Sequence, residues 1–73
     1  MTGIQQLTLV IVTAEPCEPF EVSRALALRG LRAKESRAWA ILSQLSDMGL
    51  VTEHAGIWGA TAKGRKIVAE VAA

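Results

Sequence analysis

The chain has 73 residues, 51% of them apolar, and its only aromatics are Phe20, Trp39 and Trp58. That length predicts one domain, residues 1–73, with a thin core, and a net charge of +1 excludes both a polybasic tail and an acidic disordered chain. One cysteine (Cys17) and one histidine (His54) exclude a disulfide framework and a four-ligand Cys/His zinc site, so no metal is expected.

Taken in chain order, Ile4, Leu7, Ile11 and Ala14 recur at helical spacing and predict a first helix over 4–14. Leu9, Val10 and Val12 spread its apolar face around most of the circumference, and the β-branched run from Val10 to Thr13 suits a buried strand as well. Pro16 and Pro19 end this element and hold the chain extended around Cys17 and Glu18. Val22, Ala25, Leu26 and Leu28 predict a short second helix over 21–29, with Gly30 as its left-handed terminal residue. A longer third helix over about 33–48 carries the stripe Ala38, Ile41, Leu42, Leu45 and Met48 and closes at Gly49. Its start offers no Ser, Thr, Asp or Asn cap, although Glu35 in the first turn suits the helix dipole. Beyond Gly49 the apolar period drops to two, so 50–54 and 57–60 read as a hairpin reversing at Ala55-Gly56. Thr61 then caps a last helix with Ile67, Val68 and Val71 on one face.

The longest apolar run, Leu7 to Val12, is broken by Thr8 and falls far short of the about 20 residues of a membrane span. No Lys or Arg precedes it, as a signal peptide would require. The expectation is a soluble, cytoplasmic protein with no membrane partner. Charge is unevenly spread. Residues 1–23 hold Glu15, Glu18 and Glu21 and no basic side chain, whereas 24–37 hold Arg24, Arg29, Arg32, Lys34 and Arg37 against Glu35 alone. Such a local basic block attracts a polyanion whatever the net charge, although a solvated helix face looks the same in sequence.

The third helix runs out through Leu45-Ser46-Asp47-Met48-Gly49-Leu50-Val51, and the hairpin closes with Trp58-Gly59-Ala60-Thr61-Ala62-Lys63-Gly64. These two phrases, in this order of elements, resemble the winged helix-turn-helix superfamily of small bacterial and phage transcription regulators. Its members commonly read L-x-x-x-G-L-V after the recognition helix and T-x-K-G at the entry to the last helix, and MarR-like and small phage-encoded regulators fit these phrases equally. The resemblance runs from about Leu7 to Val71. It implies an α+β, mostly helical fold: a three-helix bundle, a two-stranded β-hairpin wing and a C-terminal helix. It also implies a sequence-specific regulator that binds double-stranded DNA by inserting the 33–48 helix into the major groove.

With Ala38, Ile41, Leu42 and Leu45 turned inward, the outward positions of that helix are Arg32, Ala33, Ser36, Arg37, Ala40, Ser43, Gln44 and Asp47. Small residues permit close approach to base edges, so Ser36, Ala40 and Ser43 join Arg37 and Gln44 as candidate base readers. Arg and Gln are the types that pair bidentately with guanine and adenine. Candidate phosphate contacts are Arg29 in the turn, Arg32 and Lys34 at the helix start, and Lys63, Arg65 and Lys66 in the last helix. That last cluster opposes its own helix dipole at about 0.3–1 kcal/mol per cation, and solubility accounts for it nearly as well as phosphate contact. The wing departs from the pattern: Glu53, His54, Ala55 and Gly56 give it a short, slightly acidic tip.

Cys17 lies near Glu15 and Glu18, which raise a thiol pKa, so it reads as a packing residue rather than a redox sensor. His54 reads as a wing-tip residue, Trp58 as core and Trp39 as half exposed. Leu9 and Val12 exceed the stripe that the core requires. Helix one, together with the Val68 and Val71 edge of the last helix, is therefore expected to form a two-fold homodimer contact. A second function is open to the same fold: an adaptor, anti-repressor or phage inhibitor of a host factor that binds protein and not DNA. No enzyme is expected, because there is no phosphate loop, no Ser/His/Asp or Cys/His set and no carboxylate pair on one helical face. No cofactor and no small-molecule effector are expected in a domain of this size.

Overall fold

The computed structural model describes residues 1–72. Helix α1 (Gly3–Ala14) leads to α2 (Pro19–Leu28) and α3 (Glu35–Asp47), then to strands β1 (Val51–His54) and β2 (Ile57–Ala60) and helix α4 (Ala62–Ala72). The three helices form a bundle, the strands form a wing, and α4 returns against α1. This is the mostly helical α+β arrangement of a winged helix. No helix among the described residues is long and apolar enough to cross a membrane.

Helix α1 sits at the centre, in contact with α2, α3, α4 and β2. Neighbours on so many sides explain its nearly all-round apolar character, and they correct the assignment of Leu9 and Val12 as dimer contacts. Leu9 is 0% exposed and Val12 1%, so both are core side chains within the protomer. Val68 is half-buried, and Val71 remains exposed. The run Val10–Thr13 is helical, which removes the strand alternative.

The two glycine-marked helix ends share one mechanism. Gly30 has φ +81°, its N–H donates to Ala27, and the Leu31 N–H donates to Leu26. Gly49 has φ +75°, with the Gly49 N–H to Ser46 and the Leu50 N–H to Leu45. Both are Schellman turns, which satisfy the last carbonyls, and the second also packs buried Leu50 by buried Leu45. Helix α2 begins two residues before its predicted start because Pro19 occupies the first helical position, where its missing N–H costs nothing.

Helix α3 begins two residues later than expected. Lys34 is its uncapped N-cap, with extended backbone. Ala33 is not on the outward face: it is buried, and its carbonyl accepts from the Ser23 hydroxyl of α2. This long-range tie holds the chain out of the helix until Glu35.

The hairpin pairs Val51 with Ala60 and His54 with Ile57. Ala55 (φ +52°) and Gly56 (φ +82°) are both left-handed, the backbone of a type I′ turn. Cys17 adds a single-residue bridge to the wing: its N–H donates to the Trp58 carbonyl at 3.0 Å, and the Trp58 N–H returns to Cys17 at 2.9 Å. At the entry to α4 the Thr61 hydroxyl accepts from the Gly64 N–H at 3.1 Å and donates to the Gly49 carbonyl at 2.7 Å. Gly64 itself passes so close to the Leu50 carbonyl that a Cβ there would overlap it. The Thr61–Gly64 phrase is thus a cap joined to a close approach.

Candidate nucleic-acid interface

The site is built on α3. Ala38, Ile41, Leu42 and Leu45 are buried, and at about 100° per residue the opposite direction belongs to Ser36, Ala40, Ser43 and Asp47, all exposed. Arg37 and Gln44 stand on the flank facing α1. With Ala40 they line a groove of about 370 Å³ whose other wall is Thr2, Ile4 and Gln5. Trp39 occupies the opposite flank, 46% exposed, with its ring meeting Trp58 edge to face at 5.5 Å and 90°. Trp58 is itself buried. The five proposed base readers therefore share one exposed side of one helix.

The basic residues divide into two groups. Arg32 and Lys34 are exposed at the N-terminal end of α3. Lys63 lies at its other end, about 20 Å away for thirteen residues, where Nζ donates to the Met48 carbonyl at 3.2 Å. A cation at a helix C-terminus is favoured, so the charge that opposes α4's own dipole complements that of α3. Arg29 donates to the Ala25 carbonyl at 3.0 Å and Arg65 to the Ala60 carbonyl at 2.9 Å. Lys66 is exposed.

Sequence reasoning missed Gln5. Its Nε2 donates to Gln44 Oε1 at 2.8 Å, while its Oε1 accepts from the Thr2 N–H at 2.9 Å. The Thr2–Gln5 spacing is a legible capping box, but nothing local announces a partner 39 positions away.

At the wing tip the Glu53 carboxylate accepts from the Gly56 N–H, so this acid holds the turn, and His54 is exposed beside it. Cys17 is buried, and burial first, then Glu21 and Glu15, push its thiol up to about 11. Together with Val10, Ile11, Ala14 and Ala25 it lines a cleft of about 250 Å³ between α1 and α2. Among the described residues no three His, Cys, Asp or Glu side chains converge on a metal position.

No protein-family model and no curated protein matches the chain. Solved structures do. The complex structure of hsRosR-S4 superposes with a TM-score of 0.89 at 19% identity, over 99% of this chain and 68% of that one. A PadR-like transcription factor from Bacteroides fragilis gives 0.78 at 17% identity, over 94% and 76%. The protein smu.1704 from Streptococcus mutans gives 0.77 at 26% identity, over 94% and 72%. These likenesses establish the winged-helix fold.

Proposed function

We propose that the protein is a DNA-binding transcriptional regulator that lays α3 in the major groove of double-stranded DNA. The observation that carries this reading is the exposed face of α3. Ser36, Ala40 and Ser43 keep it low, Arg37 and Gln44 flank it with base-reading chemistry, and Arg32, Lys34 and Lys63 stand at its two ends. That the PadR-like neighbour is a transcription factor supports it. Arg29, Arg65 and Lys66 serve as further phosphate contacts. The regulator acts as a dimer on a partly palindromic site, through apolar surface other than Leu9 and Val12, of which Val71 at 54% exposure is a part.

The test is fluorescence anisotropy on a random-sequence duplex at several salt concentrations, with Arg37→Glu alongside. Micromolar binding with a steep negative salt slope, weakened by the variant, supports the reading. A second reading, a protein-binding winged helix, is favoured by Phe20 at 52% and Leu28 at 86% exposure on the outer side of α2. Absence of DNA binding at about 50 mM salt, where electrostatic binding is strongest, selects that reading instead.

A further inference from the structure

We infer that Gln5, on α1 and outside the helix-turn-helix, decides which kind of base edge Gln44 reads; this rests on the proposed placement of α3 against DNA. A glutamine amide has two ends of similar shape and opposite chemistry, since Oε1 only accepts and Nε2 only donates. The chain of contacts from Thr2 leaves one assignment for each end. A backbone N–H is a donor, so the Gln5 atom 2.9 Å from the Thr2 nitrogen is the oxygen. That turns Gln5 Nε2 toward Gln44, and the Gln44 atom 2.8 Å from this donor is again the oxygen. Gln44 Nε2 therefore points away from α1. Flipping either amide breaks one of these bonds.

Bidentate recognition of adenine requires the amide oxygen to accept from the base N6–H while Nε2 donates to N7. Here that oxygen is held against α1, and the group left to the groove is a donor. Arg37, two helical turns away along the same groove, also has only donors. The Arg37–Gln44 flank thus suits an edge made of acceptors, and in the major groove that is guanine, with O6 and N7 side by side. Gln5 is a positioning residue: it touches Gln44 and sets its polarity.

The experiment selects full-length protein on randomised duplexes and sequences the bound fraction, for the wild type, Gln44→Ala, Gln5→Glu and Gln5→Met. Gln44→Ala identifies the base pair that residue 44 reads, because preference is lost at that position. There the wild type selects guanine. Gln5→Glu keeps an oxygen for the Thr2 N–H but replaces the donor facing Gln44 by a second acceptor. The Gln44 amide must then reverse and present its oxygen, so preference moves by about fivefold to tenfold toward bases offering a donor, adenine and cytosine. The added negative charge weakens all sequences alike and cancels in this ratio. Gln5→Met leaves the amide unheld and relaxes the guanine preference toward adenine. A residue that only supported the fold would alter affinity and thermal stability without changing base preference at one position. An unchanged preference in Gln5→Glu overturns the inference while DNA binding stands. A wild type that binds no duplex overturns the proposed function as well, and a through-hydrogen-bond coupling between Gln5 Nε2 and Gln44 Cδ then reports whether the tie itself exists.

Discussion

Replacing Gly64 by alanine sets two effects of opposite sign against each other. Gly64 lies in the first turn of α4, and helix propensity alone favours alanine there by about 1 kcal/mol. Packing opposes it. A Cβ at this position overlaps the Leu50 carbonyl oxygen and stands 3.2 Å from Leu9 Cδ1. The oxygen is backbone and accepts from the Thr61 N–H at 3.0 Å, so it has no rotamer by which to escape. Relief requires α4 to retreat, at roughly 1–3 kcal/mol for overpacking. The retreat also strains the Thr61 bonds to Leu50 and Gly49, worth about 0.5–1.5 kcal/mol each. The net expectation is a loss of about 2–3 kcal/mol, a large share of the roughly 4–11 kcal/mol expected for a chain of this length. Urea and thermal denaturation measure it, and Tm falls by about 10 °C or more. Gly3→Ala is the control, because a Cβ there meets nothing within 4 Å, and it leaves stability unchanged or slightly raised. If Gly64→Ala matches Gly3→Ala, the close-approach argument is refuted.

Thr8 is 0% exposed, and its Oγ1 has no hydrogen-bond partner among the described residues, so the near-isosteric Thr8→Val raises stability by about 1 kcal/mol in urea titration; a loss of that size would show that the hydroxyl is satisfied. The Cys17 thiol reacts with a small disulfide reagent much more slowly in the native protein than in urea at pH 8, because its thiolate is disfavoured by burial and by two carboxylates. Since its folded pKa is raised, the stability tied to the neutral thiol is complete below about 9 and is lost as pH climbs toward about 11, so Cys17→Ser removes that part of the alkaline decline. Ala55 holds φ +52° at the first central position of the turn, where asparagine is better tolerated; Ala55→Asn is expected to stabilise by about 0.5 kcal/mol, and a destabilised variant would argue against the type I′ assignment.

Where a structural cause lies within a few residues, the sequence displayed it. Gly30 and Gly49 end helices, Ala55-Gly56 reverses the hairpin, and Thr61 caps α4, each through bonds spanning six positions or fewer. The start of α2, set locally by Pro19, is an exception; the other misplaced features have distant causes. Ala33 looked outward by helical spacing, yet it lies before the helix, buried, with its carbonyl bonded by Ser23 ten residues earlier. Leu9 and Val12 looked surplus because periodicity assumes one buried face, whereas α1 meets neighbours on several sides. In the candidate site the same division holds. The shared face of Ser36, Ala40 and Ser43 follows from spacing alone. The tie from Gln5 to Gln44 and that from Lys63 to the end of α3 cross 39 and 15 positions.

The paired hydrogen bonds between Cys17 and Trp58 bear on how the wing works. They fasten the α1–α2 connection to the inner strand of the hairpin, while the indole of the same residue abuts Trp39 on α3. The hairpin is thereby anchored to both sides of the bundle by one residue, and it cannot swing as an independent arm. The angle between wing and α3 is set when the chain folds. A duplex or a protein surface meeting this face encounters a finished template: little ordering entropy is lost on contact, and it is the partner that must conform.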